Sequence, residues 1–128
     1  MQGRQNIPSG APWEDIVGYS RAVRIGNVLE VSGTVAVDEQ GVVGKGDFYA
    51  QTRFIIQKIE GVLAQAGYTL EDVIRTRTYV TDIRQWEAVG KAHGEFFRNI
   101  KPATSMIQVS GFIAPEYLVE MEVTAIKQ

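Results

Sequence analysis

Residues 101–126 read KPATSMIQVSGFIAPEYLVEMEVTAI, and this stretch indicates most clearly how the chain folds. Two strand-like runs, 104–109 and 117–126, flank a middle segment that is rich in turn-forming residues. Because side chains alternate between the two faces of a strand, one face of the second run collects Tyr117, Val119, Met121, Val123 and Ala125. The apolar character of this face predicts that it packs against a core.

The opposite face of the second run carries two carboxylates, Glu120 and Glu122, between Leu118 and Ile126. Burying an acid is unfavourable unless the acid is paired or hydrogen-bonded. Two interpretations therefore stay open. Either these acids lie on a solvated sheet surface or in a structural ion pair, or at least one of them belongs to a functional site.

The chain before this stretch alternates between strand and helix patterns. Residues 20–25 and 28–37 are strand-like and are joined by Gly26-Asn27, a pair that favours a hairpin because both residues tolerate positive φ. Residues 38–46 are polar and punctuated by glycine, which predicts a loop.

Residues 47–67 predict an amphipathic helix. Asp47 is a plausible N-cap, because its carboxylate can accept hydrogen bonds from the free amides of the first turn. Gly67 suits the left-handed position that follows many helices. The helical periodicity places Gln51 on the polar face. Residues 73–81, rich in β-branched side chains, then predict a strand.

A second helix is predicted to open at Asp82 and Gln85, which form a variant of the capping box. Its apolar stripe consists of Ile83, Trp86, Val89, His93 and Phe96 or Phe97. His93 is the one histidine of the chain. Its place on an apolar stripe favours a packing or interface role over a catalytic base.

The order strand, strand, helix, strand, helix, strand, strand predicts a single α/β (α+β) domain over residues 1–128. Residues 1–17, rich in proline and glycine, form its extended lead-in. The strand–helix–strand unit over residues 28–80 implies at least one parallel pair. We expect a mixed sheet with two helices on one face. Nothing in the chain is left to cover the other face, which suggests that other subunits cover it.

Composition limits the possible functions. The formal net charge of −2 disfavours a broad nucleic-acid-binding surface, so no nucleic acid partner is expected. The chain has no cysteine, which excludes disulfides and thiolate metal ligands. No metal site and no cofactor are expected, because neither ligand spacing nor a phosphate-binding pattern is present. Without an apolar run of membrane-spanning length or a signal peptide, we expect no membrane partner and a cytoplasmic location.

Several short motifs occur in a characteristic order: Gly18-Tyr19-Ser20-Arg21-Ala22-Val23, Val31-Ser32-Gly33, Ala50-Gln51-Thr52-Arg53, Pro102-Ala103 and Glu120-Met121-Glu122. Together they resemble the RidA/YjgF family, whose members are labelled imine deaminases or, on older labels, endoribonuclease L-PSP. The resemblance covers nearly the whole chain from Gly18. It implies a chorismate-mutase-like fold and a homotrimer with ligand pockets between its subunits.

The resemblance also implies a site. Tyr19, Ser32 and Gly33 match substrate-binding positions, with the Gly33 amide as an oxygen-binding donor, and Glu120 matches the catalytic acid that orients a water. The family usually reads Pro-Ala-Arg-Ser where this chain has Thr104 in place of the arginine. An arginine clamps the substrate carboxylate with two parallel hydrogen bonds. Thr104 is short and neutral, so it cannot do this.

Arg75 and Arg77 lie on the predicted neighbouring strand and have two possible roles. One of them could replace the missing guanidinium in substrate binding, or both could form structural ion pairs with Glu120 and Glu122. The leading hypothesis is a homotrimer that binds a small metabolite and hydrolyses imines or enamines weakly or with altered specificity. The alternative is a trimer without catalytic activity that binds a small molecule or another protein.

Overall fold

The computed structural model describes residues 3–128. The strands are β1 (Gln5–Ile7), β2 (Ala22–Ile25), β3 (Val28–Val35), β4 (Val37–Asp38), β5 (Gly41–Val42), β6 (Val73–Val80), β7 (Ala103–Gln108) and β8 (Val119–Ile126). The two long helices are α1 (Phe48–Gln65) and α2 (Trp86–Phe97). Shorter helical turns occupy Glu14–Gly18, Leu70–Asp72 and Ile83–Gln85.

Six strands form one mixed sheet in the order β1-β2-β3-β8-β6-β7, and β4 and β5 form a separate hairpin. Neighbouring strands of the large sheet run antiparallel except β6 and β7, which are parallel. The predicted mixed sheet with two helices is confirmed. However, β3 and β6 are not neighbours, because β8 lies between them and pairs with both.

The core lies between the sheet and the two helices. The predicted inward face of β8 is confirmed, since Val119, Met121, Val123 and Ala125 are each 0% exposed. They pack in one cluster with apolar side chains of both helices, such as Ile55 of α1 and Val89 of α2. The alternation along β8 therefore directs Glu120 and Glu122 to the sheet face away from the helices.

Both ends of α1 follow their predicted chemistry. The Asp47 carboxylate accepts a hydrogen bond from the Ala50 amide at 2.9 Å. Gly67 has φ +83°, and the Tyr68 amide donates to the Leu63 carbonyl at 2.8 Å, which is the Schellman arrangement.

The predicted position of Gln51 on the polar face of α1 is wrong, because Gln51 is fully buried. Its amide nitrogen donates to the carbonyls of Gly44 and Glu116 at 3.2 and 2.9 Å. Its amide oxygen accepts from the Leu118 amide at 2.9 Å. Burial is tolerated because every polar atom of the side chain has a backbone partner.

The predicted stripe of α2 holds only in part. Val89 and Phe97 are buried, whereas Trp86 is 56% exposed. Ile83 belongs to a separate helical turn, so α2 begins at Trp86 rather than near Asp82. Trp86 therefore occupies the first position of the helix, and only later positions of the stripe reach the core.

Two segments expected to lack regular structure contain some. The lead-in contributes β1, which pairs with β2 and buries Ile7, and the helical turn Glu14–Gly18. Pairing with β1 satisfies backbone groups that the edge of β2 would otherwise expose. Residues 1 and 2 of the lead-in lie outside the described residues. In the expected loop 38–46, β5 pairs with β4.

Among the helices of residues 3–128, none combines the length and the apolar character that a bilayer crossing demands.

Candidate active site

Glu120 and Gly33 are in direct contact on the helix-free face of the sheet. A bulge in β3 between Val31 and Thr34 shifts the register against β8 and places Gly33 beside Glu120. A Cβ atom added to Gly33 would lie 2.7 Å from Cδ of Glu120 and 2.9 and 3.0 Å from its two carboxylate oxygens. The absence of a side chain at Gly33 therefore makes room for the Glu120 carboxylate.

Arg21 is a cation at this place that the sequence pattern did not single out. Its Nη2 donates to the Gly33 carbonyl at 2.6 Å, while its buried Nε has no hydrogen-bond partner among the described residues. Burial lowers the pKa of Arg21, and the charges of Tyr19, Glu14 and Glu120 oppose this shift. The sequence could have pointed to Arg21 only through its place two residues after Tyr19 in the Tyr19–Val23 motif. The resembled family pattern does not specify the residue at that position.

The electrostatic surroundings raise the pKa of the Glu120 carboxyl above its ordinary value. Burial is the largest cause, and the negative charge of Glu122 is the second. The positive charge of Arg21 acts in the opposite direction. A carboxyl with a raised pKa exchanges protons closer to neutral pH than an exposed glutamate does, which suits a general base or acid.

These causes predict opposite effects of two substitutions on the Glu120 titration. Glu122→Gln removes a neighbouring negative charge, so the pKa of Glu120 should fall. Arg21→Gln removes a neighbouring positive charge, so the pKa should rise. Carbon-13 NMR of the side-chain carboxyl groups measures both, with Glu60→Gln on the exposed surface of α1 as the control. Shifts of the same sign in the two variants would contradict this electrostatic assignment.

Tyr19 and Ser32 line a cleft whose wall includes Ser32, the residue before Gly33, but neither Gly33 nor Glu120. The cleft has a volume of about 490 Å³ and is lined by Arg4, Asn6, Glu14, Asp15, Gly18, Tyr19, Ser20, Val23 and Ser32. The Ser32 hydroxyl donates to the Ser20 carbonyl at 2.6 Å, and the Asn6 amide donates to the Ser20 hydroxyl at 2.8 Å. These bonds connect the wall formed by β1 to the strand that carries Gly33.

Arg75 and Arg77 lie further along the same face, on β6. Arg77 Nε is 3.8 Å from Oε1 of Glu122, and the Tyr79 hydroxyl donates to that same oxygen at 3.2 Å. Arg75 Nη2 donates to the Ser105 hydroxyl at 2.7 Å. The residue of β6 opposite Glu120 is Tyr79 rather than either arginine. Among the described residues, the structure shows one of the ion pairs proposed from the sequence, the pair between Arg77 and Glu122.

Thr104 lies on the other side of the sheet. It pairs with Thr76 in the parallel register of β6 and β7, and the two hydroxyl oxygens are 2.7 Å apart. Thr76 is fully buried on the helix-covered face. Within one chain, the structure therefore brings Gly33 and Glu120 into contact and places Tyr19 and Ser32 along a cleft that reaches the residue before Gly33, while Thr104 lies on the opposite face of the sheet.

Across residues 3–128, no three histidine, cysteine, aspartate or glutamate side chains are grouped so that they could hold a metal ion. The chemical groups available around Gly33 are a carboxyl, a guanidinium, a phenol and hydroxyls. Such a set can bind a small polar molecule and move a proton.

Comparisons with known proteins agree with this fold and these motifs. The sequence model described as endoribonuclease L-PSP matches residues 10–127. A Streptomyces coelicolor protein called uncharacterized is 39% identical over 121 residues, which cover 94% of this chain and 90% of that protein. The 3-aminoacrylate deaminase RutC of Acinetobacter baylyi is 33% identical over 116 residues, which cover 90% of each chain.

A solved structure gives the same result. The crystal structure of a Mycobacterium tuberculosis member of the YjgF/YER057c/UK114 family superposes with a TM-score of 0.87 at 48% identity. The match covers 98% of this chain and 100% of that one. The chain belongs to the endoribonuclease L-PSP family, whose members are also named YjgF and Rid proteins.

Proposed function

We propose that the chain forms a homotrimer whose pockets between subunits bind a small metabolite and hydrolyse an imine or enamine. The observation that carries the proposal is the Glu120 carboxyl, half-buried over Gly33 with a raised pKa. The similarity to a 3-aminoacrylate deaminase supports the same class of reaction. RNA cleavage is less favoured, because the net charge is −2 and the only histidine is a partly buried residue bonded to Thr76.

The chemistry requires a positioned water and a proton carrier. The Glu120 carboxylate accepts a proton from a water as the water oxygen attacks the carbon of the C=N bond. The protonated carboxyl then returns that proton to the nitrogen, which gives a carbinolamine. The carboxylate next carries the hydroxyl proton of the carbinolamine to the same nitrogen as the C–N bond breaks, which releases ammonia and leaves a C=O group. The Gly33 amide is the proposed donor to the developing oxygen.

The distribution of the site residues supports assembly. Thr104 belongs to the edge strand β7 and lies on the opposite side of the sheet from Gly33 and Glu120. One subunit therefore cannot place Thr104 beside Glu120, whereas the β7 edge of a second copy can approach the Glu120 face. The side chains on that face, including Arg77 and Glu122, are only partly exposed and polar, which suits a subunit interface that stays hydrated.

A coupled assay tests the proposed reaction. An amino acid oxidase generates 2-iminopropanoate from alanine, and trapping of the remaining imine measures its hydrolysis. Because Thr104 cannot clamp a carboxylate, we expect the wild-type rate to lie about two decades or more below that of arginine-bearing relatives. A rate equal to theirs would contradict the proposal that Thr104 weakens the site.

Replacing Thr104 with arginine should raise this activity by about tenfold or more, because a guanidinium can form two parallel hydrogen bonds to the substrate carboxylate. Thr104→Gln is the matched control, since it has similar reach without the charge and should leave the rate low. Steady-state kcat/KM for 2-iminopropanoate measures the effect. Equal rates in the two variants would show that charge at this position is not what limits hydrolysis.

A further inference from the structure

The hydroxyl of Thr104 is the outer end of a hydrogen-bond chain that crosses the helix-covered face of the sheet. Thr104 Oγ1 is 2.7 Å from Thr76 Oγ1, and Thr76 Oγ1 is 2.9 Å from Nε2 of His93. Thr104 is exposed on β7, Thr76 is fully buried on β6, and His93 lies on α2. Three separate elements thus build one path from the edge of the sheet to an internal imidazole.

The hydrogen bonds that link Thr104 to Thr76 and Thr76 to His93 fix the orientation of the Thr104 hydroxyl without placing a charge on it. Thr76 has a single hydroxyl proton, so it can donate to only one of these two neighbours. The His93 ring stacks on Phe97 with centroids 4.6 Å apart, and burial lowers its pKa. Burial therefore disfavours a positive charge on His93, the ring that stands behind the Thr104 hydroxyl.

The arginines on the face that a second copy would present to Thr104 already have partners. Arg75 and Arg77 project to the opposite face of the sheet, where Arg75 bonds to Ser105 and Arg77 lies beside Glu122. A carboxylate placed against Thr104 would be desolvated beside the Glu120 carboxyl with a hydroxyl in place of a guanidinium clamp, while the Arg21 guanidinium already binds the Gly33 carbonyl, so its binding is unfavourable. A neutral group that both donates and accepts hydrogen bonds loses much less hydration.

We infer that Thr104, held by Thr76 and His93, makes the site select molecules with an uncharged polar group, such as a carboxamide, next to the reacting carbon. The inference rests on the proposed function, because it places Thr104 in the pocket of an assembled protein. Thr104 is the group that contacts the ligand. Thr76 and His93 are positioning residues, which act by fixing the direction of its hydroxyl.

The experiment compares two stable probes of the same shape, pyruvate and pyruvamide, by isothermal titration calorimetry with the full chain. We expect wild-type protein to bind pyruvamide roughly tenfold more tightly than pyruvate. Thr104→Val keeps the shape but loses the hydroxyl and should remove most of this preference. Thr104→Ser should retain it. Pyruvate binding as tight as pyruvamide binding to wild type would overturn the inference.

Two further variants test the positioning role. His93→Phe keeps a ring beside Phe97 but loses the nitrogen, and it should weaken pyruvamide binding by about fivefold, while His93→Gln should restore part of the loss. The His93 ring resonances should shift on adding pyruvamide to wild type and stay unmoved in Thr104→Val. An unchanged preference in both Thr104→Val and His93→Phe would overturn the inference, as would failure of both probes to bind.

The imine assay keeps this result separate from the proposed reaction. Selective pyruvamide binding without hydrolysis of any imine supports the inference and contradicts the hydrolase proposal. Fast hydrolysis of 2-iminopropanoate together with tight pyruvate binding supports the hydrolase proposal and contradicts the inference.

Discussion

Replacing Glu120 with glutamine is expected to lower kcat/KM for imine hydrolysis by about 100-fold or more, because an amide cannot accept the proton of the attacking water. The change keeps the size of the side chain, so its packing over Gly33 should persist. Glu60→Gln, on the exposed surface of α1, is the control and should leave the rate unchanged. Activity of Glu120→Gln within a few fold of wild type would exclude Glu120 as the proton acceptor.

A second variant reaches the same carboxyl without altering it. In Gly33→Ala the new methyl group would lie 2.7 Å from Cδ of Glu120, so the carboxylate must move. Because the displaced atoms are the end of a flexible side chain, we expect a large loss of activity with little loss of stability. Gly61→Ala on α1 is the control, since its added Cβ meets nothing within 4 Å. Full activity in Gly33→Ala would mean that the observed position of Glu120 is not needed.

Replacing Gln51 with leucine is expected to lower the free energy of unfolding by roughly 2–5 kcal/mol, the largest stability effect among these variants. The substitution leaves two backbone groups without their partner, the Glu116 carbonyl and the Leu118 amide, while the Gly44 carbonyl keeps its bond from the Asp47 amide. A buried donor or acceptor that loses its partner retains its full desolvation penalty.

The matched control is Gln57→Leu on the exposed side of the same helix, where we expect a change within about 0.5 kcal/mol. Urea denaturation at one protein concentration measures both variants, because assembly would make stability depend on concentration. A loss below about 1 kcal/mol for Gln51→Leu would show that water replaces the missing bonds. Since Gln51 holds the segment that leads into β8, the variant should also disturb the position of Glu120.

Local patterns predicted the parts of the fold that depend on neighbouring residues. The alternation along residues 117–126 correctly separated the core side chains from Glu120 and Glu122, because successive side chains of a strand point to opposite faces of the sheet. The Asp47 cap and the Gly67 terminus were also confirmed, since both depend on backbone groups within a few residues.

The same patterns failed where a distant segment supplies the partner. Gln51 looks like a surface residue on a helical periodicity, but the backbone at Glu116 and Leu118 buries it. Trp86 looks like a core residue, but it stands at the exposed start of α2. The hydrophobic periodicity of a helix predicts which face a residue lies on, but it does not predict which other segment covers that face.

The sequence by itself determined the class of the fold, the two long helices, the main strands, the family motifs and the face of β8 on which Glu120 and Glu122 lie. Only the tertiary structure decided that β8 lies between β3 and β6, that Arg21 reaches the Gly33 carbonyl, and that Thr104 is linked through Thr76 to His93. The physical reason is range. Side-chain alternation and capping act over a few residues, whereas strand register and hydrogen bonds between elements depend on how the whole chain packs.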